Sequence, residues 1–494
     1  MRVFCQKSMQ RYKNIFVNAN LFEDFFAYLR KIVYLCKVIF EKQQIIMKKS
    51  LLLTLAVCTS LLCVHAQSDH QRYVGGDISM LPQYEKHNSG YKDVNGTKIS
   101  NLLVWFVESC GWNTFRVRIF VNPDNSDPSV CQDLEYVTAL GKRIKDAGAY
   151  FMLDFHYSDT WVDATHIQAP AAWKGSDDAT MAEHVGSYTH EVLQALKQAG
   201  AAPDLVQVGN EIMYGLCGIK VHPYNSSGDN WTGYLGLLKA GCDAVREELP
   251  DAKIIIHTDR PTNSGYNNYY YQKLVDGGID FDIIGLSYYP FWHGYLNSEQ
   301  VKDKQDKNNL VQAIKNLKTL FPTKSVHIAE CAYNFQYWPA DGTYNYDTRD
   351  VWPNTVQGQY NFVKDLVDAL EPLENVGGIN YWFPEEAGNG DDTNWSTSKG
   401  TVIETWLNRG FWNENQTSSG HAINKTGSVS GDKTAADVCA PYYMKNFLPD
   451  TPSAVENLEV RSQMSDVRCQ KILRNGQILI IKGDKAYNLL GQEQ

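Results

Sequence analysis

Residues 204–212 read DLVQVGNEI, and residues 325–333 read SVHIAECAY. Each is a short apolar, β-branched run that carries a glutamate at its C-terminal side, Glu211 and Glu330. Six more runs of this type flank them: YVGGDISM (73–80), TFRVRIFV (114–121), AYFMLDFHY (149–157), KIIIHTD (253–259), FDIIGLSYYP (281–290) and VGGINYWF (376–383). All eight are continuously apolar rather than alternating, the pattern of strands buried on both faces. Between them lie helical stretches. LEYVTALGKRIKDAGA has Leu134, Val137, Leu140 and Ile144 at helical spacing. HVGSYTHEVLQALKQAG ends at Gly200, a helix stop. This repeated strand–helix unit predicts an α/β fold of the (β/α)8 barrel type. A doubly wound open sheet is the alternative, but no G-x-G-x-x-G follows the first strand.

In such a barrel the chemistry sits at the C-terminal strand ends. The polar residues that interrupt the runs fall there: Asp77, Arg116, Arg118, Asp154, His156, Asn210, Glu211, His257, Asp259, Tyr288, Tyr289, Glu330, and Glu385 just past Trp382. A carboxyl at the mouth of a buried strand is costly to desolvate, so a pair of them requires a reason. Glycosidic bond cleavage supplies one: it needs a carboxylic acid to protonate the leaving oxygen and a carboxylate to attack or to activate water. Either glutamate alone reads equally as half of a structural ion pair. Arg116 and Arg118 are two apart, so they share a face of their strand. Buried there, they need acidic partners among Glu211, Glu330, Asp77 and Asp154. Asp154 and His156 share a face likewise. No H-x-H pair accompanies them, so no catalytic metal or other cofactor is expected.

Length and composition set the outer bounds. The 494 residues suit one large domain with an accessory piece. Hydrophobic residues make up 43% and charged residues 21%, as in soluble globular proteins. Aromatic residues reach 12%, which suits either a large aromatic core or a cleft that stacks sugar rings. Trp161, Trp173, Trp292 and Trp382 are the stacking candidates. The net charge of −10, with no basic cluster outside the far N-terminus, argues against nucleic acid as a partner. Beyond residue 66 the cysteines are Cys110, Cys131, Cys217, Cys242, Cys331, Cys439 and Cys469, with no C-x-x-C pair. That pattern excludes a zinc or dithiol motif and dictates no pairing.

Residues 47–66, MKKSLLLTLAVCTSLLCVHA, have a basic start, an apolar run and a small-residue end. They read as a signal peptide cut before Gln67. The run of about 14 residues is short of the ~20 needed to span a bilayer. Export from a bacterium follows, to the extracellular space, the cell surface or the periplasm. Residues 1–46 then read as an over-extended gene start. The catalytic domain is expected over 67–447, a linker over 448–469, and a small β-hairpin-like tail over 470–494 with Asn475-Gly476 as its turn.

Several segments together resemble one family: GGDISMLPQYE, NTFRVRIFVNP, MLDFHYSDTWVDATHIQAPAAW, QVGNEIMYGL and IGLSYYPFW. They are similar to family 53 glycoside hydrolases, the endo-β-1,4-galactanases of the retaining (β/α)8 clan A. The resemblance covers about residues 73–412, and DFHYSDTW is its most discriminating part. It implies Glu211 as acid/base and Glu330 as nucleophile, with carboxyl groups about 5–5.5 Å apart. It implies Asn210 at the sugar 2-hydroxyl, Arg116 with Tyr288 or Tyr289 as partners of Glu330, and Trp382 as a sugar platform. The implied substrate is galactan, or type I arabinogalactan, of pectin side chains, acted on by a monomer. Some members carry calcium in a loop near strands seven and eight. Asp391, Asp392 and Asn394 have suitable oxygens, but their spacing departs from that loop, and a solvated turn is the preferred reading. Another clan A endo-glycosidase acting on mannan or glucan, and a non-catalytic glycan-binding surface protein, are the alternatives.

Overall fold

The computed structural model describes residues 71–87, 90–300, 309–336, 345–387, 408–417 and 420–449, with 414–417 as backbone only, and the backbone of 469–474, 477–482 and 485–487. The expected signal peptide at 47–66, the segment before it, the loop with Asp391, Asp392 and Asn394, and most of the expected linker at 448–469 lie outside the described residues.

Eight parallel strands close into a barrel: β1 (Tyr73–Asp77), β2 (Thr114–Ile119), β3 (Tyr150–Phe155), β4 (Leu205–Val208), β5 (Lys253–Thr258), β6 (Ile283–Tyr288), β7 (Ser325–Cys331) and β8 (Val376–Trp382). Each neighbours the next in sequence, and β1 pairs β8 from Tyr73↔Gly378 to Asp77↔Trp382. All eight expected strands are present. Their outward side chains join those of the helices in one continuous core. Met152, Leu205, Ile255, Ile283 and Ala329 form a separate cluster from five successive strands, which is the filled barrel interior.

Helices α1 (Leu102–Glu108), α2 (Leu134–Asp146), α3 (Asp178–Gln198), α4 (Trp231–Glu248), α5 (Ser264–Asp276), α6 (Leu310–Leu320) and α7 (Val356–Leu370) lie between the strands. Each starts on a residue whose side chain accepts a hydrogen bond from the first turn: Asn101, Asp133, Asp177, Asn230, Asn263, Asn309 and Thr355. Such caps satisfy otherwise orphaned N–H groups and are worth roughly 1 kcal/mol each. They fix where each of these seven helices begins.

One strand is irregular. The β6–β7 ladder runs Leu286↔Ile328 and then Ser287↔Glu330, so Ala329 is an extra residue. The β7–β8 ladder slips at the same place. Ala329 faces the interior, and simple alternation would turn Glu330 outward. The bulge re-aims it inward, opposite Ser287.

The chain beyond β8 returns to the start of the barrel. Residues Gly420–Ile423 pair in parallel with Tyr91–Lys92. Arg72 donates to the carbonyl of Phe447 (2.9 Å), and Trp112 Nε1 donates to the carbonyl of Pro441 (2.9 Å). In the tail, Cys469–Arg474 and Gln477–Lys482 pair antiparallel, and Lys485–Tyr487 adds a third strand.

Candidate active site

At the C-terminal rim one guanidinium organises the floor. Arg116, on β2 and fully buried, donates from Nη1 to Asp77 Oδ2 (2.6 Å) and lies 2.9 Å from Glu330 Oε1. From Nη2 it donates to Asp154 Oδ2 (2.7 Å) and Asn210 Oδ1 (2.8 Å). Four strands and the loop after β4 therefore converge on one cation. Burial by itself would weaken the Arg116 charge, but Asp154, Glu330 and Asp77 outweigh it and hold the cation firmly protonated. Burial also opposes the Asp154 charge. Arg116 and His156 overcome it, and the carboxyl lies below its ordinary range.

Glu330 also accepts from the Tyr289 hydroxyl at Oε2 (2.7 Å). Glu211 follows Asn210 in a tight turn at the end of β4, with φ of 49° in the left-handed region. A non-glycine residue there is uncommon and is a mark of functional positions. Its Oε1 accepts from Ser287 Oγ (2.6 Å). Ser287 is the register partner of Glu330, so both carboxyl groups flank one serine. Burial pushes the Glu211 carboxyl well above the usual carboxylate range, and the Glu330 charge adds to this. Burial raises Glu330 as well, but Arg116 and the Tyr289 hydroxyl oppose it. Of the two, Glu211 holds its proton to the higher pH.

The other expected site residues fall into three groups. Arg118 lies 3.8 Å from Asp77 Oδ1, donates to the Ser129 carbonyl (3.0 Å), and covers one face of Trp161 at 4.0 Å. Trp161 and Trp382 meet edge to face, and Trp382 lies edge-on to Tyr289, both at 6.3 Å between centroids. These side chains line the rim beside Glu330. His156 is a buried, bonded histidine: it lies 3.2 Å from Asp154 Oδ2, and its Nδ1 accepts from the Val162 N–H (3.0 Å). Tyr288, Trp173 and Trp292 are not brought to the glutamates by any contact described. Tyr288 alternates to the outer face of β6, packs on Phe362 of α7, and donates to the Gly294 carbonyl. Trp173 stacks on His184 (5.4 Å) against α3. Trp292 sits half-buried on the helical turn Pro290–His293, where its carbonyl accepts from Asn345.

Gln207, Ser287 and Arg409 are additions to the set expected from sequence, and His257, expected at the rim without a role, joins them. Gln207 Nε2 donates to Asp154 Oδ1 (2.5 Å), and its Oε1 lies 3.3 Å from Arg116 Nε. Arg409 spans Tyr289 and Trp382, 5.0 and 5.6 Å from their ring centroids. The missed signal for Gln207 and Ser287 was a polar residue at the inward parity of an apolar strand. Among the described residues no group of three or more His, Cys, Asp or Glu side chains could hold a metal.

An aromatic-walled rim with a buried and a half-buried carboxyl of unequal proton affinity suits acid–base chemistry on a neutral, ring-shaped substrate. Comparison with known proteins agrees. Among curated proteins, the arabinogalactan endo-beta-1,4-galactanase A of Emericella nidulans is 32% identical over 346 residues, covering 68% of this chain and 91% of its own. The Ignisphaera aggregans GH53 catalytic domain superposes with a TM-score of 0.59 and 28% identity, over 72% of this chain and 94% of that one. A structure from a study of two fungal beta-1,4-galactanases gives 0.57 and 26%, over 71% and 96%. The sequence model of glycosyl hydrolase family 53 matches residues 73–423, a span that contains the whole barrel and both rim glutamates, and the chain therefore belongs to that family.

Proposed function

We propose that the protein hydrolyses β-1,4-galactosidic bonds within galactan chains, with retention of configuration. The observation that supports this most directly is the unequal hydrogen bonding of the two rim glutamates. Glu330 faces a cation and a phenol, whereas Glu211 faces a neutral serine. In the first half-reaction Glu330 attacks the anomeric carbon while Glu211 gives its proton to the departing O4 oxygen. A glycosyl–Glu330 ester forms, and the shortened chain leaves. In the second half Glu211, now a carboxylate, takes a proton from water, whose oxygen attacks the anomeric carbon and frees Glu330. The roles alternate because a carboxyl whose proton affinity is raised by burial is still protonated when an acid is needed and, once it has given the proton up, is a stronger base than an ordinary carboxylate.

Asn210 Nδ2 spends one hydrogen on the Val162 carbonyl (2.8 Å), and its second suits the sugar 2-hydroxyl. Trp382 and Trp161 offer apolar ring faces and edges to the sugar. The leader at 47–66 supports export to where pectin is met. Among the described residues no helix is long and apolar enough to cross a membrane.

Digestion of linear β-1,4-galactan tests the proposal. New reducing ends, an early ladder of oligosaccharides, full activity in chelator, and loss of activity in Glu211→Gln and Glu330→Gln are expected. Cleavage of mannan or glucan with none of galactan would overturn the substrate assignment. Tight galactan binding without cleavage would overturn the catalytic one.

A further inference from the structure

A closed circuit of hydrogen bonds lies behind Glu211, and double displacement alone leaves it unused. The Glu211 backbone N–H points at His257 Nδ1 (3.4 Å). His257 Nε2 lies 2.8 Å from Ser287 Oγ, and Ser287 Oγ donates to Glu211 Oε1 (2.6 Å). His257 and Ser287 are both fully buried, on the adjacent strands β5 and β6. The amide and the carboxyl of one residue, held in a left-handed turn, are thus gripped by a single pair of side chains.

The donors and acceptors fix the direction of this circuit. An ionised carboxylate can only accept, so the Ser287 hydrogen goes to Glu211. Ser287 Oγ must then receive from His257 Nε2–H, which leaves Nδ1 bare to accept from the Glu211 N–H. When Glu211 is protonated, the hydrogen it gives to the glycosidic oxygen sits on its other carboxyl oxygen, and Oε1 still accepts from Ser287. The bare Nδ1 also lies 3.2 Å from Gln207 Nε2, a second donor, and 3.0 Å from Asn210 Oδ1. Burial, and after it the nearby Arg116 cation, keeps His257 neutral throughout. Glu211 therefore keeps its serine donor in both protonation states, and the histidine keeps one tautomer.

We propose that Ser287 and His257 act as one positioning unit that aims the Glu211 carboxyl and bonds to it in both protonation states, so that a single residue serves as acid in the first half-reaction and base in the second. This rests on the assignment of Glu211 as acid/base. The accounting is simple: Glu211 exchanges one proton with the glycosidic oxygen or with water. The imidazole exchanges none. Glu330 from β7, Asp259 and Arg260 after β5, Asp163 after β3 and Tyr289 after β6 also face Glu211. Their influence is common to wild type and variants, so a change confined to the pair reads the pair.

The test is the pH dependence of kcat/KM on galactan in Ser287→Ala and Ser287→Thr. Losing the hydroxyl removes a donor to the carboxylate and raises the affinity of Glu211 for its proton. The basic limb should move about 0.5–1 pH unit upward, the shift expected of one hydrogen bond. Ser287→Thr keeps the hydroxyl and should restore the wild-type limb. Nitrogen NMR of the wild-type protein needs no variant. His257 should carry its proton on Nε2 on both sides of the limb. An unmoved limb in Ser287→Ala, a uniform loss at every pH, or a proton on Nδ1 would each overturn the proposal. Glu211→Gln separates the two levels. If it keeps wild-type activity, the role of Glu211 fails; if it is inactive while the limb stays put, only the Ser287–His257 unit fails.

Discussion

Replacing Arg116 by methionine strips the cation from Asp77, Asp154 and Glu330, which approach it to 2.6, 2.7 and 2.9 Å. Breaking a buried ion pair from one side costs roughly 3–5 kcal/mol. Here three carboxyls would be left, and each can escape its charge by taking up a proton. At pH 7 that costs a carboxyl of ordinary pKa near 4 about 4 kcal/mol; at pH 5 it costs about 1.4 kcal/mol. One or two uptakes suffice to relieve the repulsion, so the loss at pH 7 should be roughly 4–8 kcal/mol. It should shrink by about 2.7 kcal/mol per group protonated on moving to pH 5. The sign runs opposite to wild type. In the variant the folded carboxyls bind protons more tightly than the unfolded chain does, so stability is full at low pH and lost as pH rises. In wild type Asp154 is depressed, and its contribution is present at neutral pH and lost as pH falls through the folded value. Urea unfolding followed by tryptophan emission at both pH values measures the difference. An equal loss at pH 5 and pH 7, or a loss below about 1 kcal/mol at pH 7, would refute the view that this cation neutralises the floor of the site.

Three further outcomes are expected. Tyr289→Phe removes a hydroxyl that donates to Glu330, so the acidic limb of kcat/KM should move up by about one pH unit, since a hydrogen bond to a charged group is worth roughly 1.5 kcal/mol; a limb that stays in place would remove Tyr289 from this role. Trp382→Ala should lower kcat/KM on galactan about tenfold, the equivalent of ~1.4 kcal/mol of lost ring contact, whereas unchanged kinetics would make Trp382 packing alone. Asn263→Ala deletes the cap of α5 and should cost about 1 kcal/mol of stability while leaving kcat within error; a parallel loss of kcat would show that the loop after β5 is less rigid than its capping implies.

The barrel was legible because strands buried on both faces must be apolar throughout, and the eight runs are. That Arg116 and Arg118 need acidic partners was legible for a related reason, since a buried guanidinium needs anions, but which of them meets Glu330 came only from the family resemblance. Three features were not legible. The bulge at Ala329 leaves no mark in composition, yet it decides which way Glu330 faces. Tyr288 and Tyr289 look interchangeable until the parity of β6 is fixed, which sends one to α7 and the other to Glu330. Ser287 and His257 are single polar residues inside apolar runs, which sequence alone cannot tell from satisfied core groups. Trp173 and Trp292 were candidates only as aromatic residues, and ring chemistry carries no information about location.

The return of residues 420–449 to the beginning of the domain bears on how the protein is made. β1 finds its partner β8 only after some three hundred intervening positions have left the ribosome, and the grips on Arg72 and Trp112 come later still. Until then the nascent chain holds an open sheet with two bare edges, the state most prone to sticking to its neighbours. Closure is therefore a late step of folding, completed by the grips on Arg72 and Trp112. A chain released early, just past β8, would be expected to need chaperones that the full-length product can do without.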